Sequence, residues 1–313
     1  MYLSTVLPDV LDRYLYFIRE RHAVWFNRYH GEPGPWTDDP ILASKKFCNM
    51  FRVLDWGSQY LGRELLAGEK DPKEVLFRAF LYRHTNRPEP FEWFEIYQGG
   101  VPTTRDLLNG DLSTAWYEFA AAGGKIFSTA YRVNASADSY HLPKYQWVLN
   151  SAREYLLPRI DRILAAESQA ERAEILQEIP RVGPFMAMQI LTDLGYSEIF
   201  PDRENELALI GPGSERGILH LTGDVVPGRS MEDWTGFMRD LQALVVALPD
   251  TPRISLPDGR TRALSLTDVQ NTLCEFDKYQ RYLKKGVPAE AAAAGYRAAH
   301  PGGLPALYLP THW

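Results

Sequence analysis

The chain has 313 residues, of which 45% are apolar, 12% aromatic and 24% charged, which supplies ample core material and excludes a disordered or fibrous class. Its net charge of −6 and pI near 5.7 argue against charge-driven, nonspecific DNA binding, although Lys and Arg gathered on one face could still line a basic cleft. The two cysteines, Cys48 and Cys274, form no C-x-x-C pair and the seven histidines are scattered, so neither a disulfide framework nor a thiolate zinc site is expected. No apolar run approaches the ~20 residues of a membrane span, and the N-terminus lacks a basic-then-apolar leader pattern. A cytoplasmic setting with no membrane partner is expected.

Residues 8–29 place Leu11, Tyr14, Leu15, Ile18, Trp25 and Tyr29 near helical period behind Pro8, predicting a long first helix. Residues 31–36 read as a rigid Gly/Pro loop, and Thr37-Asp38-Asp39-Pro40 offers caps for a second helix. That helix is expected to run to about Leu66, with a stripe of Phe47, Met50, Phe51, Leu54, Leu61 and Leu65, and to stop at Gly68. Further helices are predicted over 72–84, 91–97, 113–122, 143–165, 231–248 and 266–283, with an irregular Gly/Pro-rich span over 200–228. Strand signals are weak. A short run covers 127–133, and Pro257-Asp258-Gly259 marks a hairpin turn within 254–264. The class is mainly α with at most a short β-hairpin. Residues 1–313 are expected to form one helical unit, with room for two lobes and a cleft. The tail beyond Gly286 is Ala/Pro/Gly-rich, though Tyr308 and Trp313 suggest that its end docks.

Residues 175–195 hold an apolar approach, the turn Ile179-Pro180-Arg181-Val182-Gly183, and an apolar helix from Pro184. An ordinary packed αα-hairpin would read the same way. So would a helix-hairpin-helix, in which Gly183 permits close approach and the unpaired N–H groups opening the second helix, around Phe185, meet a DNA phosphate.

Gly211-Pro212-Gly213-Ser214-Glu215-Arg216-Gly217 reads either as a surface turn or as a nest of backbone N–H groups beside a guanidinium that forks onto phosphate. On the second predicted helix Arg52, Asp55 and Gln59 align. On the last, Asn271, Glu275 and Lys278 fall one and two turns apart. Solvated salt-bridge faces explain such rows, as does a site that holds a base edge, a small zwitterion and an anion. Cys274 is either an inert packed thiol or a nucleophile for pyrimidine C6.

Residues 179–187 resemble the Leu/Ile-Pro-x-Val-Gly-x-x-x-Ala pattern of helix-hairpin-helix DNA glycosylases, which implies a glycosylase-like helical fold. Phe185 stands where the strand-cutting members carry a lysine nucleophile, which removes that Schiff-base chemistry. Asp202, Glu204, Asn205 and Glu206 lie in the neighbourhood of the catalytic aspartate without its usual context. More specifically, residues 35–40, 47–55, 123–131, 179–191, 211–218 and 271–279 resemble, in order, the amino acid:DNA transferases. That family, also called α-glutamyl/putrescinyl-thymine pyrophosphorylases, acts in phage thymine hypermodification, and its helical domain is also found with 5-hydroxymethyluracil DNA kinases.

The resemblance implies displacement of pyrophosphate from 5-pyrophosphoryloxymethyl-deoxyuridine in DNA by the amine of an amino acid, glycine being favoured over glutamate or a polyamine. It suggests Glu206 or Glu275 as base for the ammonium, with Asp55 orienting Arg52 or binding the amine. Gly211, Gly213, Arg216, Arg52 and Lys278 would take the pyrophosphate, and Trp36, Tyr131 and Asn271 the extruded base. Mg²⁺ could accompany pyrophosphate, but no carboxylate cluster marks a metal site. Base excision and a non-catalytic, DNA-binding role in a modification complex are the alternatives.

Overall fold

In a computed structural model, which describes residues 2–128, 142–225, 228, 230–286, 304 and 306–313, those residues are helical apart from irregular connections and one two-stranded sheet. Helix α1 (Pro8–Tyr29) opens on Pro8 and buries Tyr14, Phe17, Ile18 and Val24 together with Arg21. Helix α2 (Pro40–Ser44) is capped by Asp39, whose Oδ1 accepts from the N–H groups of Ile41 and Leu42 at 2.8 and 2.9 Å.

The expected helix over 40–66 is broken here. Lys45 is extended (φ −118°, ψ 146°), a 3₁₀ turn covers Arg52–Leu54, and Asp55 is extended again. Tertiary bonds replace the helical ones. Arg21 donates to the Phe47 carbonyl and to Asn49 Oδ1, Asn49 Nδ2 donates to the Leu54 carbonyl, and Asp55 Oδ1 accepts from Asn49 N–H. Helix resumes as α3 (Trp56–Tyr60), continued by a π-helical turn over Leu61–Leu66. Arg52, Asp55 and Gln59 therefore do not share one helix face.

Helix α4 (Pro72–Thr85) is buried on every side from Val75 onward, as a central helix must be. Around it in sequence follow α5 (Glu89–Gln98), α6 (Thr104–Asn109), α7 (Asp111–Ala121) and α8 (Lys144–Ser151). A π-helical turn over Ala152–Leu156 and a 3₁₀ turn over Leu157–Arg159 join α8 to α9 (Ile160–Ala165), so the path stays helical across Pro158, which has no N–H to give. The hairpin is α10 (Gln169–Gln177), a turn, and α11 (Pro184–Leu194).

Helix α12 (Pro212–Thr222) lies inside the span expected to be irregular. Its glycines disguise it, yet Gly213 and Gly217 face a neighbouring helix. A Cβ at Gly217 would stand 2.2 Å from the Leu273 carbonyl oxygen, and one at Gly213 would stand 2.3 Å from Cys274 Sγ. After α13 (Met231–Ala247), strands β1 (Arg253–Ser255) and β2 (Thr261–Ala263) pair antiparallel across Gly259 (φ +85°), as the turn signal predicts. The long α14 (Leu266–Lys285) closes the described core. Phe127 and Ser128 form no strand, and the rest of the 127–133 run lies outside the described residues.

The chain divides into two compact units, Met1–Asp55 with Glu204–Leu307, and Trp56–Arg203 with Tyr308–Trp313. In the first, α14 packs on α12 and α1, with Phe276 and Tyr279 of α14 meeting Phe17 at 6.0 and 5.0 Å between ring centroids. Ser265 and Asp268 cap α14 reciprocally. In the second, α11 packs on α4 through a buried, two-pronged Arg83–Asp193 pair, one contact of which measures 2.8 Å. The C-terminal segment docks there. Trp313 Nε1 donates to the Gly195 carbonyl at 3.2 Å, and Tyr308 lies over Gly62, where a Cβ would clash with its ring.

Candidate functional site

The first unit gathers most of the residues singled out in the sequence. Asn271, Glu275 and Lys278 do share one face of α14, and the extended segment 46–49 lies along it. Asn271 Nδ2 donates to the Asn49 carbonyl at 3.0 Å, Glu275 Oε2 accepts from Cys48 N–H at 3.0 Å, and Lys278 Nζ donates to the Lys46 carbonyl. Lys278 also reaches Glu275 Oε2 at 3.3 Å and sits 4.7 Å above the Phe47 ring. These side chains first hold the chain's own backbone in place of a helix. They thereby fix Arg52 and Asp55 beside α14, where Asp268 Oδ1 accepts the Arg52 N–H at 2.8 Å.

Asp55 has a shifted carboxyl. Burial pushes its carboxyl from 3.8 up to about 6, against the opposing pull of Arg52 and of the Asn49 N–H. A carboxyl held up to about 6, in the field of Arg52 and Glu275, can take and return a proton near neutral pH. Cys274 is different. Burial first, then Glu275 and Asp277, push its thiol up to about 11, so it stands as a neutral thiol against Gly213. Burial holds Cys48 well above the ordinary thiol value too.

Arg216 projects from α12 rather than from a loop. Its Nε and Nη2 reach Asp277 Oδ2 at 3.1 and 3.0 Å. Gly211 caps that helix, its N–H donating to Ser214 Oγ at 3.0 Å, while Gly213 lies in the first turn against Cys274. The expected glycine nest is thus a capped helix start with a packing glycine.

Other candidates stand apart from this cluster. Glu206 is exposed in the turn that precedes α12, while its neighbour Glu204 is buried on Arg262 and Ser265 at 2.7 Å each. Trp36 donates from Nε1 to the Glu32 carbonyl at 2.7 Å, lies under Arg28 at 5.4 Å, and walls a surface pocket of about 580 Å³ with Phe26, Asn27 and His30. Tyr131 lies outside the described residues. In the second unit, Gly183 caps α11 exposed, with open space where a Cβ would stand, and Phe185 is half-buried one residue into the helix. Arg181 takes a left-handed conformation (φ +68°) and covers Trp147 at 5.8 Å.

Sequence reasoning missed Arg21, Asn49, Asp268 and Asp277. Arg21 was detectable, because a charged residue falls at helical spacing between the buried Phe17, Ile18, Val24 and Trp25. Ser265-Leu266-Thr267-Asp268 carries a capping-box pattern with Asp in the third position. Asn49 and Asp277 act in part through partners distant in sequence, Arg21 and Asn271 for the one and Arg216 and His220 for the other, which spacing does not show. Among the described residues no three His, Cys, Asp or Glu side chains come together as a metal-holding group, and no helix is long and apolar enough to cross a membrane.

The family model described as "5-hmdU DNA kinase, helical domain" matches residues 8–287, which takes in both units and the whole α14 cluster. The chain belongs to the 5-hmdU DNA kinase helical-domain family. A "5-hmdU DNA kinase" of Bacillus phage SP10 is 26% identical to this helical domain over 237 residues, covering 68% of the chain and 36% of the relative. The chain therefore spans about a third of the length of that curated protein. No solved structure matches it.

Proposed function

We propose that this helical-domain protein is a DNA-hypermodifying transferase. It would exchange the pyrophosphate of 5-pyrophosphoryloxymethyl-deoxyuridine in DNA for the amine of an amino acid, glycine first. The observation that carries the reading is the packing of segment 46–55 on α14, which holds Asp55 on the Asn49 N–H, Glu275 on the Cys48 N–H and Arg52 N–H on Asp268, in a member of a family whose named relative is a 5-hmdU DNA kinase.

In the proposed step the amine nitrogen forms a bond to the exocyclic methylene carbon as the carbon–oxygen bond to pyrophosphate breaks. The leaving electron pair departs with pyrophosphate, and the ammonium proton passes to Asp55 or Glu275. Arg52, Lys278 and Arg216 neutralise the leaving polyanion near the α12 start at Gly211 and Gly213. Asn271 meets the base edge. Trp36 supplies stacking for an extruded base, and the α10–α11 hairpin at Gly183 and Phe185 grips the DNA backbone. Mg²⁺ could enter with pyrophosphate, since no built metal site is needed to bring it.

A second reading is that the chain presents DNA within a base-modification complex without catalysis of its own, as its match to a helical domain allows. One assay separates the readings. The protein is incubated with DNA carrying the pyrophosphorylated base and single amino acids, the DNA is digested to nucleosides, and the products are weighed. A glycine adduct supports transfer, abasic sites point to excision, and binding without either product points to the presenting role.

A further inference from the structure

Asp277 is 1% exposed on α14, yet three basic side chains converge on it. Arg216 approaches at 3.0 Å and His220 at 3.2 Å from successive turns of α12, and Arg281 approaches at 3.3 Å from the next turn of α14. A buried carboxylate requires such partners to offset its desolvation and fill its lone pairs. The two guanidiniums nevertheless carry one charge more than Asp277, and that excess is positive charge on the surface of an acidic protein. The Arg216 and Arg281 side chains are 51% and 53% exposed, so each gives one edge to Asp277 and presents the rest to solvent. Guanidiniums fixed by a buried anion lose little entropy on meeting a second anion, and their planar forks match phosphate oxygens.

The geometry points to a phosphate-binding site made by Arg216, Arg281 and His220 and held in shape by Asp277. Cys274, Lys278 and Arg281 follow one stripe of α14, so this cationic group continues along the helix from Lys278. The phosphate is that of free pyrophosphate or of the DNA backbone; the two share oxygens and charge and differ only in source. Such a site rests on the reaction proposed above for its purpose, but binding can be measured without amine transfer, so failure of either leaves the other intact.

The test uses the full chain, with Arg216→Ala and Arg281→Ala made singly and together, and Arg260→Ala on the exposed β-hairpin turn as a charge-matched control. Inorganic pyrophosphate is titrated calorimetrically and a fluorescein-labelled duplex by anisotropy, with melting curves to confirm folding. Each Arg216 or Arg281 variant is expected to weaken at least one ligand about tenfold, with Arg260→Ala near wild type. Loss confined to pyrophosphate assigns the site to the leaving group. Loss confined to DNA, with the slope of log K against log salt reduced by about one per arginine, assigns it to the backbone. Unchanged binding of both ligands, or an equal loss in Arg260→Ala, overturns the site. Arg216→Lys keeps the charge without the fork and is expected to recover only part of the affinity.

Discussion

Asp55 carries a pH signature that a single substitution can read. Its carboxyl is held up to about 6 in the fold, against 3.8 ordinarily, so the stability it contributes is full below 3.8 and is lost as the pH rises through about 6. Asp55→Asn is therefore expected to melt at the same temperature as wild type or lower near pH 4, and to gain on it as the pH reaches 7. His22 and His84, each lowered by burial to about 4, act in the opposite sense and lose stability as the pH falls from 6.5, but they are common to both proteins and cancel in the difference. A difference in melting temperature that stays flat from pH 4 to 7 would contradict the placement of Asp55. If Asp55 is the base, kcat/KM should also rise with pH through about 6 and lose that limb in the variant. Cys274 gives a simpler expectation. A thiol pushed up to about 11 is a poor nucleophile at neutral pH, so Cys274→Ala should keep most of the proposed transfer activity, and loss of all activity with an intact melting curve would restore the covalent route.

Among the elements, α12 and the hairpin make opposite use of glycine. Gly217 has the Leu273 carbonyl where a Cβ would go, so Gly217→Ala should destabilise the protein by roughly 1–3 kcal/mol in urea titration. Gly183 has nothing within 4 Å of that position, so Gly183→Ala should cost less than about 1 kcal/mol of stability while weakening duplex binding. Equal stability losses in the two variants would remove the distinction. These elements also show where the sequence was legible. Helix α1, the paired strands and α14 are visible because cap, turn and apolar period agree locally. Helix α12 is not, because the glycines that let it approach α14 are the residues that usually mark a loop. The segment 45–55 is not, because its helical pattern is overridden by Arg21, Glu275 and Lys278, which lie far away in sequence and supply the bonds that a helix would have made.

For the whole molecule, the two compact units divide the proposed labour. The unit of Met1–Asp55 and Glu204–Leu307 holds Arg52, Asp55, Arg216, Asn271, Glu275 and Lys278, and the other holds the hairpin. The row on α14 was visible from spacing alone, but its contacts were not, since spacing gives a shared face and not the partner that lies on it. With a net charge of −6, the protein is expected to bind unmodified duplex weakly, with a shallow salt slope set by few phosphates. A slope like that of a strongly basic protein would contradict this. The central claim concerns bond exchange, and stoichiometry tests it most directly. DNA bearing the pyrophosphorylated base is supplied with isotopically labelled glycine, and labelled nucleoside and free pyrophosphate are counted in one reaction. The account predicts one pyrophosphate released for each glycine joined to a base; pyrophosphate released without glycine in the DNA, or neither product from folded protein that binds the substrate, would contradict it.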